Sequence, residues 1–180
     1  SPFFLRTKLR AWLLRRSVRW QNAPLPDDET ERLTALHDLG VLDTAPEARF
    51  DRHTDDIAAL LDVPVALVSL VDTDRQWFKS RRGTVVAQTP REMSLCAHAI
   101  LGTDVLQIED TLADPRFADN PLVAGGPRLR FYAGMPLMLD DGSRVGTLCV
   151  ADHRPRHLDD DQLDALRRAA ALVVQELQAG

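Results

Sequence analysis

Cysteine is scarce: only Cys96 and Cys149 occur in 180 residues. No disulfide framework is available, and such a chain suits a reducing compartment. Long apolar runs are missing as well, since no stretch approaches the roughly 20 residues that a membrane-spanning helix requires. Charges interrupt every apolar stretch near the start in which a signal peptide could form. Arg15-Arg16 is followed by Ser17 to Asn22 rather than an apolar run, so it is not a twin-arginine signal. These absences predict a cytoplasmic protein. Glycine is sparse and badly spaced for nucleotides: Gly125, Gly126 and Gly142 form neither G-x-G-x-x-G nor a phosphate-binding loop.

What is present is one domain's worth of chain, with ordinary apolar content of 44% and charged content of 27%. The net charge of −5 is unevenly distributed. Residues 1–20 hold six cations (Arg6, Lys8, Arg10, Arg15, Arg16, Arg19) and no acid. Removing those six from the 22 basic groups leaves 16 against 27 acidic groups. An acidic body does not attract nucleic acid, because phosphate binding needs cationic neutralisation.

Two parts are expected. Residues 1–26 read as a basic amphipathic helix (Leu5, Leu9, Trp12 and Leu13 on one face) and a Pro24-Leu25-Pro26 linker. Residues 27–180 read as the folded domain. Within it, Asp27 or Asp28 caps a helix that Gly40 stops. Thr44 to Glu47 has the pattern of a capping box, opening a helix that buries Phe50, Ile57, Leu60 and Leu61. Val65 to Val71 is a mostly apolar run rich in β-branched valine, suited to a central strand, and Gln76 to Arg81 returns beside it. A helix follows from Ser94 to Leu101, then a strand from Asp104 to Glu109. The Pro- and Gly-punctuated stretch 110–128 holds short turns. Arg130 to Leu139 and Arg144 to Ala151 form a hairpin around Asp140-Asp141-Gly142. A last helix spans Asp159 to Gln178, and its Leu163, Leu166, Ala170, Val173 and Leu177 make either a coiled-coil seam or a stripe that covers the sheet. The fold class is α+β, an antiparallel sheet of about six strands with flanking terminal helices.

Several separated motifs resemble one family. They are Ala35 to Thr44 with Phe50-Asp51-Arg52, Val65 to Asp72, Arg75 to Ser80, Ser94 to Ile100, Asp110 to Phe117, Phe131 to Leu137 and Val145 to Val150. In this order they resemble the GAF domains of bacterial signalling proteins over about residues 28–178. The resemblance implies a sheet with terminal helices on one face and a ligand cavity under loops on the other. It further implies a non-catalytic sensory role ahead of an output domain such as a histidine kinase or diguanylate cyclase, whose catalytic motifs do not occur in these residues.

The candidate ligand site lies between the sheet and residues 94–132, lined by Trp77, Cys96, His98, Asp110, Phe117 and Tyr132. Pockets are mostly apolar with a few convergent polar groups, and the recognisable motifs coincide there with irregular backbone. Each aromatic has an alternative place in the core, Cys96 and His98 an alternative as inert cavity wall, and Asp114 and Asp119 read as turn caps. Zinc is not expected, because Cys96, His98, Cys149, His153 and His157 lack paired ligand spacing. Nor are haem, bilin or any other cofactor: bilin attachment in related domains uses adjacent Cys-His, and here Ala97 intervenes. The cyclic-nucleotide motif is absent, with Asn120-Pro121 and Met135-Pro136 in its place.

Two rival functions are a GAF-fold free methionine sulfoxide reductase using both cysteines, and an interaction module with a filled cavity. The expected partners are a small molecule and a second copy of the chain, joined through the terminal helices, with weak membrane-surface contact through residues 3–20 as the competing use of the leader.

Overall fold

The computed structural model describes residues 21–180. The leader helix expected over 3–20 therefore lies outside the described residues. Helices α1 (Glu29–Asp38) and α2 (Ala48–Leu61) come first, followed by strands β1 (Val65–Val71), β2 (Arg75–Arg82) and β3 (Gln88–Pro90). A 3₁₀ turn at Arg91–Met93 leads into α3 (Leu95–Ala99) and β4 (Leu106–Ile108). A second 3₁₀ turn (Thr111–Ala113) and α4 (Pro121–Ala124) occupy the irregular stretch before β5 (Phe131–Met138), β6 (Arg144–Asp152) and α5 (Asp160–Ala179). The strands form one six-stranded sheet in the order β3-β2-β1-β6-β5-β4, and every pair is antiparallel.

Burial on both faces explains the unbroken apolar runs of β1 and β6, because a strand covered on one side alone would alternate. One face packs on α1, α2 and α5: Phe50, Ile57, Ala66, Val68, Leu70, Trp77, Phe131, Leu148 and Leu166 belong to this core. The other face is covered by α3, α4 and the loops around them, with Leu95, Ile100, Phe117, Val123, Tyr132 and Cys149 in a second cluster. The two central strands approach closely at Gly146, where an added Cβ would stand 1.9 Å from the Ser69 carbonyl oxygen.

Three local expectations need correction, and one open alternative is resolved. The Thr44–Glu47 capping box does not form. Glu47 is itself the N-cap of α2 and makes no cap bond; the Thr44 hydroxyl instead donates to Val41 O and accepts from Lys79 Nζ. The buried ammonium of Lys79 draws both Thr44 and Glu47 away from the helix end. Leu60 is 66% exposed, since the inward face of α2 passes through Phe50, Thr54, Ile57, Ala58 and Leu61. β3 forms in the stretch between Arg81 and Ser94, which on sequence reads as a loop, its three residues too short for periodicity to register. Finally, Leu166, Ala170, Val173 and Leu177 of α5 are buried against the sheet, with Leu163 packed at the edge of the same core. The stripe covers the sheet and is not a free seam. Asp159 caps α5 in a true capping box with Gln162.

Candidate functional site

A cavity of about 130 Å³ lies between the loop-side face of the sheet and its covering segments. Its floor comes from alternate residues of the strands: Leu67 on β1, Gln76 and Phe78 on β2, Tyr132 on β5, Cys149 and Ala151 on β6. Leu95 and Cys96 on α3, Leu122 on α4 and Leu129 form the cover. Thr84 and Val86 stand at the mouth opposite Pro127 and His153. Val86, Pro127 and His153 are exposed while Cys96, Tyr132 and Cys149 are buried, so the cavity runs inward from the surface.

α3 is held by its cap. Ser94 Oγ accepts from Ala97 N and donates to Gln76 Oε1, pinning the helix to β2. Gln76 also accepts from Ser69 and donates to Thr89. Among the described residues no buried side-chain nitrogen or oxygen is without a partner. The polar groups at the cavity are thus satisfied by one another, as burial requires, and none of the lining residues is Asp, Glu, Lys or Arg.

The two thiols meet at the floor, with Sγ atoms 3.8 Å apart. The Tyr132 hydroxyl and the Thr147 hydroxyl each donate to Cys96 Sγ, at 3.1 Å in both cases. Gly134 makes the first of these bonds possible, because a Cβ there would stand 2.2 Å from the Tyr132 oxygen. Burial pushes the Cys96 thiol up, but the bonds from Cys149, Thr147, Tyr132 and Ser69 together outweigh it and bring it below the ordinary thiol value. Cys149 moves the other way, held protonated by its contact with Cys96 and by burial. Cys96 is the more acidic of the pair.

Of the six residues expected to line the site, Cys96 and Tyr132 do so. The other four are corrections. Trp77 packs in the helix-side core, because alternation along β2 gives the cavity to Gln76 and Phe78. Phe117 is fully buried behind α3 and meets the His98 ring edge-on at 4.8 Å. His98 turns outward, and its Nε2 lies 3.0 Å from Gln21 O. Asp110 caps the second 3₁₀ turn by accepting from Leu112 N. The residues that sequence reasoning missed are Gln76, Phe78, Leu95 and Ala151. The zinc set does not converge either, since His157 pairs with Glu109 and His153 with Pro127 O.

A buried ionic cluster ties the cavity cover to α1. Arg91, three residues before Ser94, pairs with Glu29 and donates to Asp72 O at 3.0 Å. Arg32, fully buried, bonds both Glu29 oxygens and donates to Val71 O at 2.7 Å. Burial raises the Glu29 carboxyl, but Arg32 and Arg91 more than reverse this and hold it at about 2. A second tie lies nearby: Gln21 N donates to Arg116 O at 3.2 Å, and Ala23 packs on the loop-side cluster.

A six-stranded antiparallel sheet with long helices on one face and a loop-covered cavity on the other defines an α+β domain of the GAF type. The GAF domain family model matches residues 45–177, and the chain belongs to that family. It is 44% identical over 133 residues to a cyclic di-GMP phosphodiesterase of Pseudomonas aeruginosa, a match covering 74% of this chain and 23% of that protein. The GAF domain of an Acinetobacter phosphoenolpyruvate-protein phosphotransferase superposes with a TM-score of 0.60 at 15% identity, covering 83% of this chain and 94% of that one. Free methionine-R-sulfoxide reductase of Neisseria meningitidis, solved with its substrate, gives 0.60 at 15% identity over 90% and 97%. At such identities these likenesses establish the fold.

Proposed function

We propose that this GAF domain is a non-catalytic sensory module that admits a small, largely apolar molecule beneath α3 and relays its occupancy to the segment entering α1. The cavity carries this reading. A void of about 150 Å³ lined by aliphatic and aromatic side chains binds benzene, whereas drug-sized ligands occupy roughly 300 Å³ or more. A cavity of about 130 Å³ is too small for a cyclic nucleotide or a tetrapyrrole, and its lining holds no Asp, Glu, Lys or Arg to pair with a charged ligand. The relay is supported by Arg91, which joins the cavity cover to Glu29 on α1. Native mass spectrometry of freshly purified protein, followed by thermal denaturation with added benzene, tests it. Bound small molecule or a raised melting temperature is expected; neither, at benzene saturation, removes the reading.

The sulfoxide reductase is a second reading, favoured by the 3.8 Å approach of the two cysteines. Methionine sulfoxide, however, carries an ammonium and a carboxylate, and the lining offers no Asp, Glu, Lys or Arg, only His153 at the mouth, to offset their desolvation. Steady consumption of free methionine-R-sulfoxide with a dithiol reductant would decide for it.

The activity named for the Pseudomonas relative suggests an output. We propose that the domain regulates cyclic di-GMP turnover in the protein that carries it, tested by comparing phosphodiesterase activity with and without residues 21–180. Homodimerisation is also proposed, through the leader and the outer side of α5, where Leu172 is 48% exposed. Sedimentation of the chain lacking residues 1–26 should then show monomer.

A further inference from the structure

The two cysteines come from distant parts of the chain, and both line one cavity that opens to the surface. We propose that Cys96 and Cys149 are a peroxide-responsive dithiol, oxidised through the cavity to a reversible disulfide that draws α3 toward the sheet. The proposal rests on the sensory reading for its output but not for its chemistry.

The geometry supplies each requirement. A disulfide needs the sulfurs about 2.05 Å apart, so closure from 3.8 Å shifts them by less than a typical side-chain rotation. Cys149 sits in β6, between β1 and β5 in the middle of the sheet. Cys96 sits on a five-residue helix, so α3 is the element free to yield. Tyr132 and Thr147 donate to Cys96 Sγ and stabilise its thiolate, the nucleophilic form. The cavity is small, largely apolar and without Asp, Glu, Lys or Arg, and His153 stands at its mouth. A neutral oxidant such as hydrogen peroxide or a short alkyl hydroperoxide suits it; a large charged disulfide does not.

In the first step the Cys96 sulfur attacks the peroxide, an S–O bond forms and the O–O bond breaks. The departing oxygen takes the proton that Cys96 released and leaves as an alcohol, or as water from hydrogen peroxide. Cys96 is then a sulfenic acid. The Cys149 sulfur attacks it, forming the S–S bond, and the expelled hydroxide takes the Cys149 proton and leaves as water. Two electrons have passed from the thiols to the peroxide, and a dithiol reductant returns them by exchange. Displacement of α3 would pull on the 3₁₀ turn carrying Arg91 and hence on Glu29 of α1.

The test oxidises the full chain with hydrogen peroxide and, separately, with tert-butyl hydroperoxide, then counts free thiols after denaturation. Two free thiols should fall to none, with the protein monomer-sized on non-reducing gels and both thiols regained with dithiothreitol. In Cys149→Ser a sulfenic acid on Cys96 should be trapped by dimedone, and Cys96→Ser should react at least about tenfold more slowly, because the better thiolate is gone. Two thiols surviving in the folded wild type would overturn the proposal without any variant. So would an intermolecular disulfide, equal reactivity of Cys96→Ser, or oxidation by free methionine sulfoxide but by neither peroxide. Benzene binding is measured in parallel: binding with inert thiols would defeat the dithiol and leave the sensory cavity standing.

Discussion

The two faces of the sheet are built to different standards. On the helix side, α1, α2 and α5 bury aliphatic side chains and Phe50 in a continuous core. Its buried polar groups are paired, as with Lys79 against Thr44 and Glu47 and Thr54 against Ser80. On the loop side the cover is made of 3₁₀ turns and helices of four and five residues, and the cluster includes two thiols, a tyrosine and a void of about 130 Å³. Long helices fill space by interdigitating along their length; short turns held by Ser94, Asp110 and Asn120 caps cannot. One face supplies stability, and the other gives up some packing for room and adjustable cover.

The largest effect should come from deleting side chains on the two faces. Phe50→Ala opens a hole where none exists and should cost about 3–5 kcal/mol, whereas Leu95→Ala enlarges an existing void and should fall near the low end of the ~2–5 kcal/mol range. Urea denaturation of both variants measures the contrast, and equal losses would erase it.

Adding volume should reverse the sign. Ala66 and Ala151 lie on neighbouring strands, but Ala66 is in the helix-side core and Ala151 lines the cavity. Ala66→Leu should cost about 1–3 kcal/mol by overpacking. Ala151→Leu should be neutral or stabilising, and should abolish benzene-induced stabilisation in thermal denaturation.

Much of the helix-side architecture was legible from the sequence because it follows period. The run Val65 to Val71, the Asp140-Asp141-Gly142 turn and the α5 stripe all appear close to their expected bounds. The site was less legible. Cys96 and Tyr132 stand in recognisable motifs, but the aromatic character of Trp77 does not place it, and strand parity gives that cavity wall to Gln76 and Phe78. Parity is hard to carry across this hairpin, since β1 and β2 slip register between Val68 and Ser69. The Cys96–Cys149 contact spans 53 residues and depends on how a five-residue helix sits on the sheet, which no local pattern encodes. His98 and Asp110 have the chemistry of ligand groups but are used by the chain for its own Gln21 carbonyl and Leu112 amide.

A finer probe of the loop side is Gly134→Ala. The new methyl group must displace the Tyr132 hydroxyl from Cys96, costing about 1–3 kcal/mol of stability by crowding and raising the Cys96 thiol pKa in a pH titration of thiol alkylation. Unchanged alkylation would show that the Tyr132 bond does not set the thiolate.

The pH dependence of the tie to α1 is a separate probe. The Glu29 carboxyl lies at about 2 against an ordinary 4.5. Its contribution is therefore present above pH 4.5 and lost as pH falls from there toward 2. The stability difference between wild type and Glu29→Gln should be constant near neutrality and shrink through that acid window. A difference that grows on acidification would contradict the ion-pair assignment.

The Arg91–Glu29 pair implies that the cavity cover and α1 move as a coupled unit. Hydrogen–deuterium exchange of the full chain, with and without saturating benzene, reads that coupling. Benzene should slow exchange in residues 91–99 and also in residues 29–38, across the Arg91–Glu29 pair, while the α5 amides stay unchanged. Protection confined to residues 91–99, with α1 exchanging as before, would contradict the relay.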